Sequence, residues 1–284
     1  MFAIIGSVVV LVAVVGGYLL EHGNLHVLFQ PAEVVIIFGA ATGALLISSP
    51  APVFRAVIKT FPKIFSYKGL SKQDYVDLLV LLFKLFQKMR KEGLISVEEE
   101  IDNPEKSKIF SAHPQVLKNH HAMSFICDSI RIVITSNMPG HQLEDILERD
   151  IEILHHEALL PAHSVARIAD SLPGLGIVAA VLGVVITMGK IDQPPSVLGH
   201  SIGAALVGTF LGVLACYGFV GPMAATMEHM ARDEKEYLEV IKAALVSYVN
   251  GAAPQVAIEV GRRTVPGDFR PSFAELEEQL KAAK

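Results

Sequence analysis

Charge is missing from this chain in long blocks. Across its 284 residues, positions 2–20, 34–49, 171–189 and 193–227 contain no Asp, Glu, Lys or Arg. Only 19% of the residues are charged and 51% are hydrophobic, with a mean hydropathy of +0.45. That balance excludes an ordinary soluble domain. Cysteine is scarce too: Cys127 and Cys216 fall in regions of different character, and two isolated thiols suit a reducing compartment rather than a disulfide framework. No basic patch is interleaved with aromatics, which excludes nucleic acid as a partner. No Cys-x-x-Cys set appears, so no metal is expected. Neither a nucleophile motif nor a phosphate loop is present, so neither an enzyme nor a cofactor is expected.

The charge-free blocks have the length of membrane spans. A helix rises about 1.5 Å per residue, so about 20 apolar residues cross the hydrocarbon. Four spans follow: roughly 2–20, 32–49, 168–189 and 197–227. The first has no basic n-region and outruns a signal-peptide core, so it is expected to be retained. The segment Leu78–Phe83 is apolar but closely flanked by Asp74, Asp77 and Lys84. It predicts a buried helix of a soluble region.

Lys and Arg set the orientation. The loop 21–31 has neither, and the loop after span three has only Lys190. Arg55, Lys59, Lys63, Lys68 and Lys72 follow span two, and Arg232, Lys235 and Lys242 follow span four. Both termini and the middle region are therefore expected in the cytoplasm. The expected fold is an all-α membrane protein. A transmembrane hairpin (1–49) precedes a large cytoplasmic helical domain (50–167), a second hairpin (168–227) and a C-terminal helix and tail (228–284).

In the middle region, Ser71 is placed to cap a helix from Lys72 that ends at Gly93, and Ser96 to cap an acidic-headed one at Val97. Pro139-Gly140 marks a turn before a helix over 142–160. The stretch 227–249 predicts an amphipathic continuation of span four, with Tyr237, Leu238, Ile241 and Leu245 on one side.

Neither hairpin carries a carboxylate deep inside. Glu33 and Asp170 stand at span ends, where snorkelling is cheap. Moving protons or sodium usually needs an ionisable intramembrane group. Either this chain moves no ions, or a partner helix brings the acid. Pro173 removes a backbone donor in span three, which fits a helix wall facing protein or water and equally a kink of packing value. Gly199 with Gly203, and Gly208 with Gly212, allow close helix approach within the chain or between chains. Thr209 and Tyr217 stand about 80° apart around an ideal helix.

Several stretches resemble one family. They are Gln30-Pro31-Ala32-Glu33, the run from Arg90 through Gly93 to Glu98, Ile101-Asp102-Asn103-Pro104, and Leu172-Pro173-Gly174-Leu175-Gly176 continuing to Ala180. Val207 to Gly212 with Tyr217, Gly218 and Pro222, and Ala253-Pro254-Gln255 with Glu259 to Arg262, complete the set. Jointly they resemble the A subunit of the bacterial flagellar stator (the MotA/PomA family), nearly end to end. The resemblance implies five copies around two copies of a B subunit that carries the essential membrane aspartate. It implies an inner-membrane, ion-conducting complex that drives the rotor through its switch protein. Pro173, Ala180, Thr209, Tyr217 and Pro222 then match positions lining the ion path, and Arg90 and Glu98 the charged pair that engages the rotor. Sodium-using members carry a threonine where this chain has Ala180. An alanine methyl offers no oxygen ligand, so the expected ion is H+. A more distant resemblance is to ExbB/TolQ-like energisers of outer-membrane machinery, which normally have three spans.

Overall fold

The computed structural model describes residues 2–136 and 138–282. Its described secondary structure is helical. Packing divides the chain into two units, residues 1–68 with 157–230, and residues 69–156 with 231–284.

Four helices among the described residues are long and apolar enough to cross a membrane. Span one is Phe2–Leu20 and span two is Pro31–Ser48. Span three is the apolar end of a single helix, Gly140–Met188, that runs on through Pro161 and Pro173. Pro139 stands just outside the helix and Gly140 already belongs to it, so the helix opens two residues before 142, and no break separates 142–160 from span three. A proline deletes one ladder bond and kinks a helix, yet neighbouring packing can carry the helix past it. Span four opens as Pro195–Leu214, passes through a π-helical turn at Ala215–Val220, and continues as Gly221–Val249.

The core of this unit is thin, as apolar solvent requires. Ile37 and Ala41 of span two pack with Leu172 and Ala179 of span three and Cys216 of span four. Beneath them Val57 and Ile64 pack with Ala162, Val165, Ala224 and Met227. Span one buries none of its residues. Of the two small-residue pairs, Gly208 and Gly212 are used within the chain. A Cβ on Gly176 would lie 2.7 Å from the Gly208 carbonyl oxygen, and one on Gly212 2.5 Å from that of Leu172. Gly199 faces open space.

The second unit has a conventional hydrophobic core. The helix Lys72–Glu92 buries Leu78, Leu79, Leu81, Leu82, Leu85 and Phe86. The expected face of Tyr237, Leu238, Ile241 and Leu245 closes on the same cluster. Phe86 stacks on Tyr248 at 4.5 Å. Ser71 and Asp74 form a reciprocal capping box, and Gly93 ends the helix at φ +91°, a conformation that costs glycine nothing. Ser96 does not cap the next helix. Its hydroxyl donates to the Gly93 carbonyl at 2.7 Å, and a 3₁₀ turn, Leu94–Val97, leads directly into Glu98–Asp102.

Candidate ion path and charged turn

The ion-path candidates do not converge on one point in a single chain. Tyr217 and Pro222 line a hollow of about 330 Å³ with Asp170, Cys216 and Glu228. Tyr217 lies in the π turn and is 74% exposed. Pro222 has no N–H to donate, and the Gly221 N–H bonds the Cys216 carbonyl, five residues back. An extra residue per turn at this point rotates Tyr217 relative to an ideal helix, and such bulges recur at functional sites.

Thr209 lines a different hollow with Leu206, Phe210, Val213 and Leu214. It shares a face of span four with Ile202, Leu206, Val213 and Tyr217, all of which leave much of their surface open. Pro173 is half-buried in span three. Its neighbour Leu172 offers the carbonyl against which Gly212 packs. Ala180 is buried, and its backbone nitrogen adjoins Gly208.

Sequence reasoning missed one residue here. Glu33 does not snorkel. It is only 7% exposed, and its Oε2 is buried without a hydrogen-bond partner. A Cβ on Gly208 would lie 2.6 Å from Oε2, and one on Gly183 3.4 Å from Oε1. The carboxyl is therefore turned inward against spans three and four. Its position three residues into span two gave no hint of direction. The only signal was the run of glycines on facing helices.

Arg90 and Glu98 are exposed on opposite sides of the Gly93 turn, and neither joins an ion pair among the described residues. Between them Ile95 is 70% exposed. The turn is braced from below. Lys88 bonds Glu100 at 2.9 Å, and the Ser107 hydroxyl bonds the same carboxylate. Burial pushes the Glu100 carboxyl up, but the bonds from Ser107 and Lys88 outweigh it and hold it below the usual range.

Two of the histidines make contacts within the fold. His121 pairs with Glu234, and His155 Nδ1 lies 3.2 Å from the Ala231 carbonyl oxygen. His22 and His26 stand four apart in sequence, but His22 adopts φ +58° beyond the end of span one, so no helical face joins them. Among the described residues no three His, Cys, Asp or Glu side chains are grouped to hold a metal.

Comparison with known proteins gives one answer. The family model described as motility protein A N-terminal matches residues 4–93. The model of the MotA/TolQ/ExbB proton channel family matches residues 116–240. The chain is 41% identical to the motility protein A of Escherichia coli, over all of this chain and 96% of that protein. It is 37% identical to the chemotaxis protein LafT of Vibrio parahaemolyticus, over 97% of each. Its fold resembles the Bacillus subtilis flagellar MotAB stator complex, with a TM-score of 0.78 and 24% identity over 97% of this chain and 100% of that one. Against MotAB of C. jejuni the TM-score is 0.79 at 18% identity, covering 95% and 98%. A multi-pass, helical membrane protein with this likeness from end to end belongs to the motility protein A family.

Proposed function

We propose that this chain is the A subunit of a flagellar motor stator, which with a B subunit conducts protons and converts their flow into torque on the rotor. The observation that carries the reading is full-length similarity to motility protein A. The energiser reading is disfavoured by the match of residues 4–93 to the N-terminal motility protein A model.

The finer parts follow from surfaces. The exposed stripe of span four, with Ile202, Leu206, Val213 and Tyr217 at 43, 60, 41 and 74%, suits a partner helix that brings the missing acid past Thr209. Lipid and neighbouring copies cover the open surface of span one. The arrangement is five A subunits around two B subunits, in the inner membrane, with both termini and the Lys- and Arg-rich segments in the cytoplasm. Arg90 and Glu98 meet the rotor switch protein, with Ile95 as an apolar contact between them. Charges so displayed serve steering and register more than raw affinity. Proton coupling is favoured by Ala180, which presents a methyl where sodium would need an oxygen.

Co-purification from membranes with the B subunit, read by native mass spectrometry, tests the assembly. A five-to-two complex is expected. A ring without B, or one with an energiser partner, would refute it. Motility that persists without sodium is expected, and motility lost on sodium removal alone would refute proton coupling.

A further inference from the structure

Glu33 is a buried carboxyl with no role in the account above. It projects from the first turn of span two, at the end where loop 21–31 leaves the bilayer. Two glycines make room for it. At Gly208 a methyl would collide with Oε2, at 2.6 Å. Gly183 opens the wall of span three facing Oε1. Ala179, Ala180 and Ala205 fill the remaining contacts around these glycines. None of these residues titrates or carries charge. The charged and titratable groups of the adjoining loops, Glu21, His22, His26, Lys190 and Asp192, lie at exposed or half-buried positions.

An anion left unpaired in such a cradle is costly, because no donor replaces the water it lost. Intramembrane carboxyls with this character usually mark ion pathways. The position fits. Gly208 immediately precedes Thr209, and Ala180 is the residue that discriminates the ion in the family pattern. Along span three, Ala180 lies about 10 Å from Pro173, toward the loop end, at 1.5 Å per residue.

We propose that Glu33 is a proton-binding station on the outer limb of the ion path. This rests on the proton-conducting stator reading. A proton entering from outside forms an O–H bond at Oε2 and neutralises the carboxylate. Breaking that bond passes the proton inward to the acid supplied by the B subunit and restores the anion. The station is selective for H+. A proton needs one lone pair, whereas sodium needs several oxygens in place of its water, and the glycines and alanines around Oε2 offer no side-chain oxygen.

The test uses the A–B complex reconstituted in liposomes, with proton flux driven by an imposed potential and followed by an internal pH dye. Glu33→Gln keeps the shape of the protonated carboxyl but cannot exchange its proton. It is expected to lose about a hundredfold in flux when external protons are scarce, the lower end of what a positioned proton-transfer group contributes, and to approach wild type at acidic external pH. Glu33→Asp is expected to conduct with a shifted pH midpoint. Glu33→Gln flux equal to wild type at every pH, or reduced by one constant factor throughout, would overturn the station. If Glu33→Gln fails to assemble with B, Glu33→Asp decides, and an unchanged midpoint overturns it. A wild-type complex that moves no protons would instead overturn the stator reading, and the station with it.

Discussion

At the scale of single residues, the glycines of spans three and four differ sharply in what they tolerate. Gly176 and Gly212 face backbone across the helix pair, and backbone cannot swing aside. Gly176→Ala or Gly212→Ala is expected to cost about 1–3 kcal/mol, the usual range for overpacking. The check is thermal unfolding of the purified complex, with Gly199→Ala as control, since Gly199 has nothing within 4 Å. His113 illustrates a buried polar group outside the membrane. It is 7% exposed with Nε2 unpartnered. Burial lowers its affinity for a proton, the Lys84 charge lowers it further, and Asp77 partly opposes them. Its folded value lies below the ordinary 6.5, so the unfolded chain takes up the proton first. The stability tied to neutral His113 is therefore present above that pH and is lost as pH falls through the folded value. His113→Leu should flatten this dependence in pH-resolved thermal melts, and an unchanged slope would show that other groups cause it.

At the scale of elements, caps and prolines decide where helices start and how they bend. The Ser71 box holds the first turn of Lys72–Glu92. Ser71→Ala should cost about 1 kcal/mol and speed amide exchange in that turn alone. Span three carries Pro173 inside a continuous helix. Replacing it with alanine restores a backbone donor to that wall, so torque or proton flux should fall while co-purification with B stays normal. Wild-type swimming in that variant would count against a role in the path. A second device closes the chain's C-terminal part. Arg262 and Arg263 both bond Glu259. The bond from Arg262 is the main cause that holds this carboxyl at about 2, which burial opposes. Its contribution is present above the ordinary value of 4.5 and is lost as pH falls toward 2.

At the scale of the whole molecule, surfaces matter more than cores. The chain exposes apolar side chains along all four spans, including Phe2, Val35, Ile186 and Leu206 at 60% or more. Soluble proteins rarely leave patches of this size uncovered. Arg90→Glu should weaken rotor engagement and swimming while leaving membrane insertion and co-purification with B intact. Loss of assembly in that variant would show that the charge serves the fold. A compensating charge reversal on the rotor side should restore motility if the contact is electrostatic.

Period, length and absent charge determined most of the architecture. Spans one and two, the Ser71–Gly93 helix and the buried face of Tyr237 to Leu245 are all legible, because a helix repeats every 3.6 residues and a bilayer fixes the length of an apolar run. Arg90, Glu98, Thr209 and Tyr217 enter through the family resemblance of the motifs around them, and the roles proposed for them rest on that resemblance rather than on any local pattern. Tertiary structure alone decided the rest. Pro161 and Pro173 leave the long helix unbroken because packing outweighs one missing bond. Ser96 turns back to Gly93 because a 3₁₀ turn, rather than a cap, joins the two helices. Tyr217 is rotated by a π turn that no propensity encodes. Glu33 points inward because glycines from two other helices leave space at that height, a coincidence of three segments far apart in the chain, which no local pattern can express.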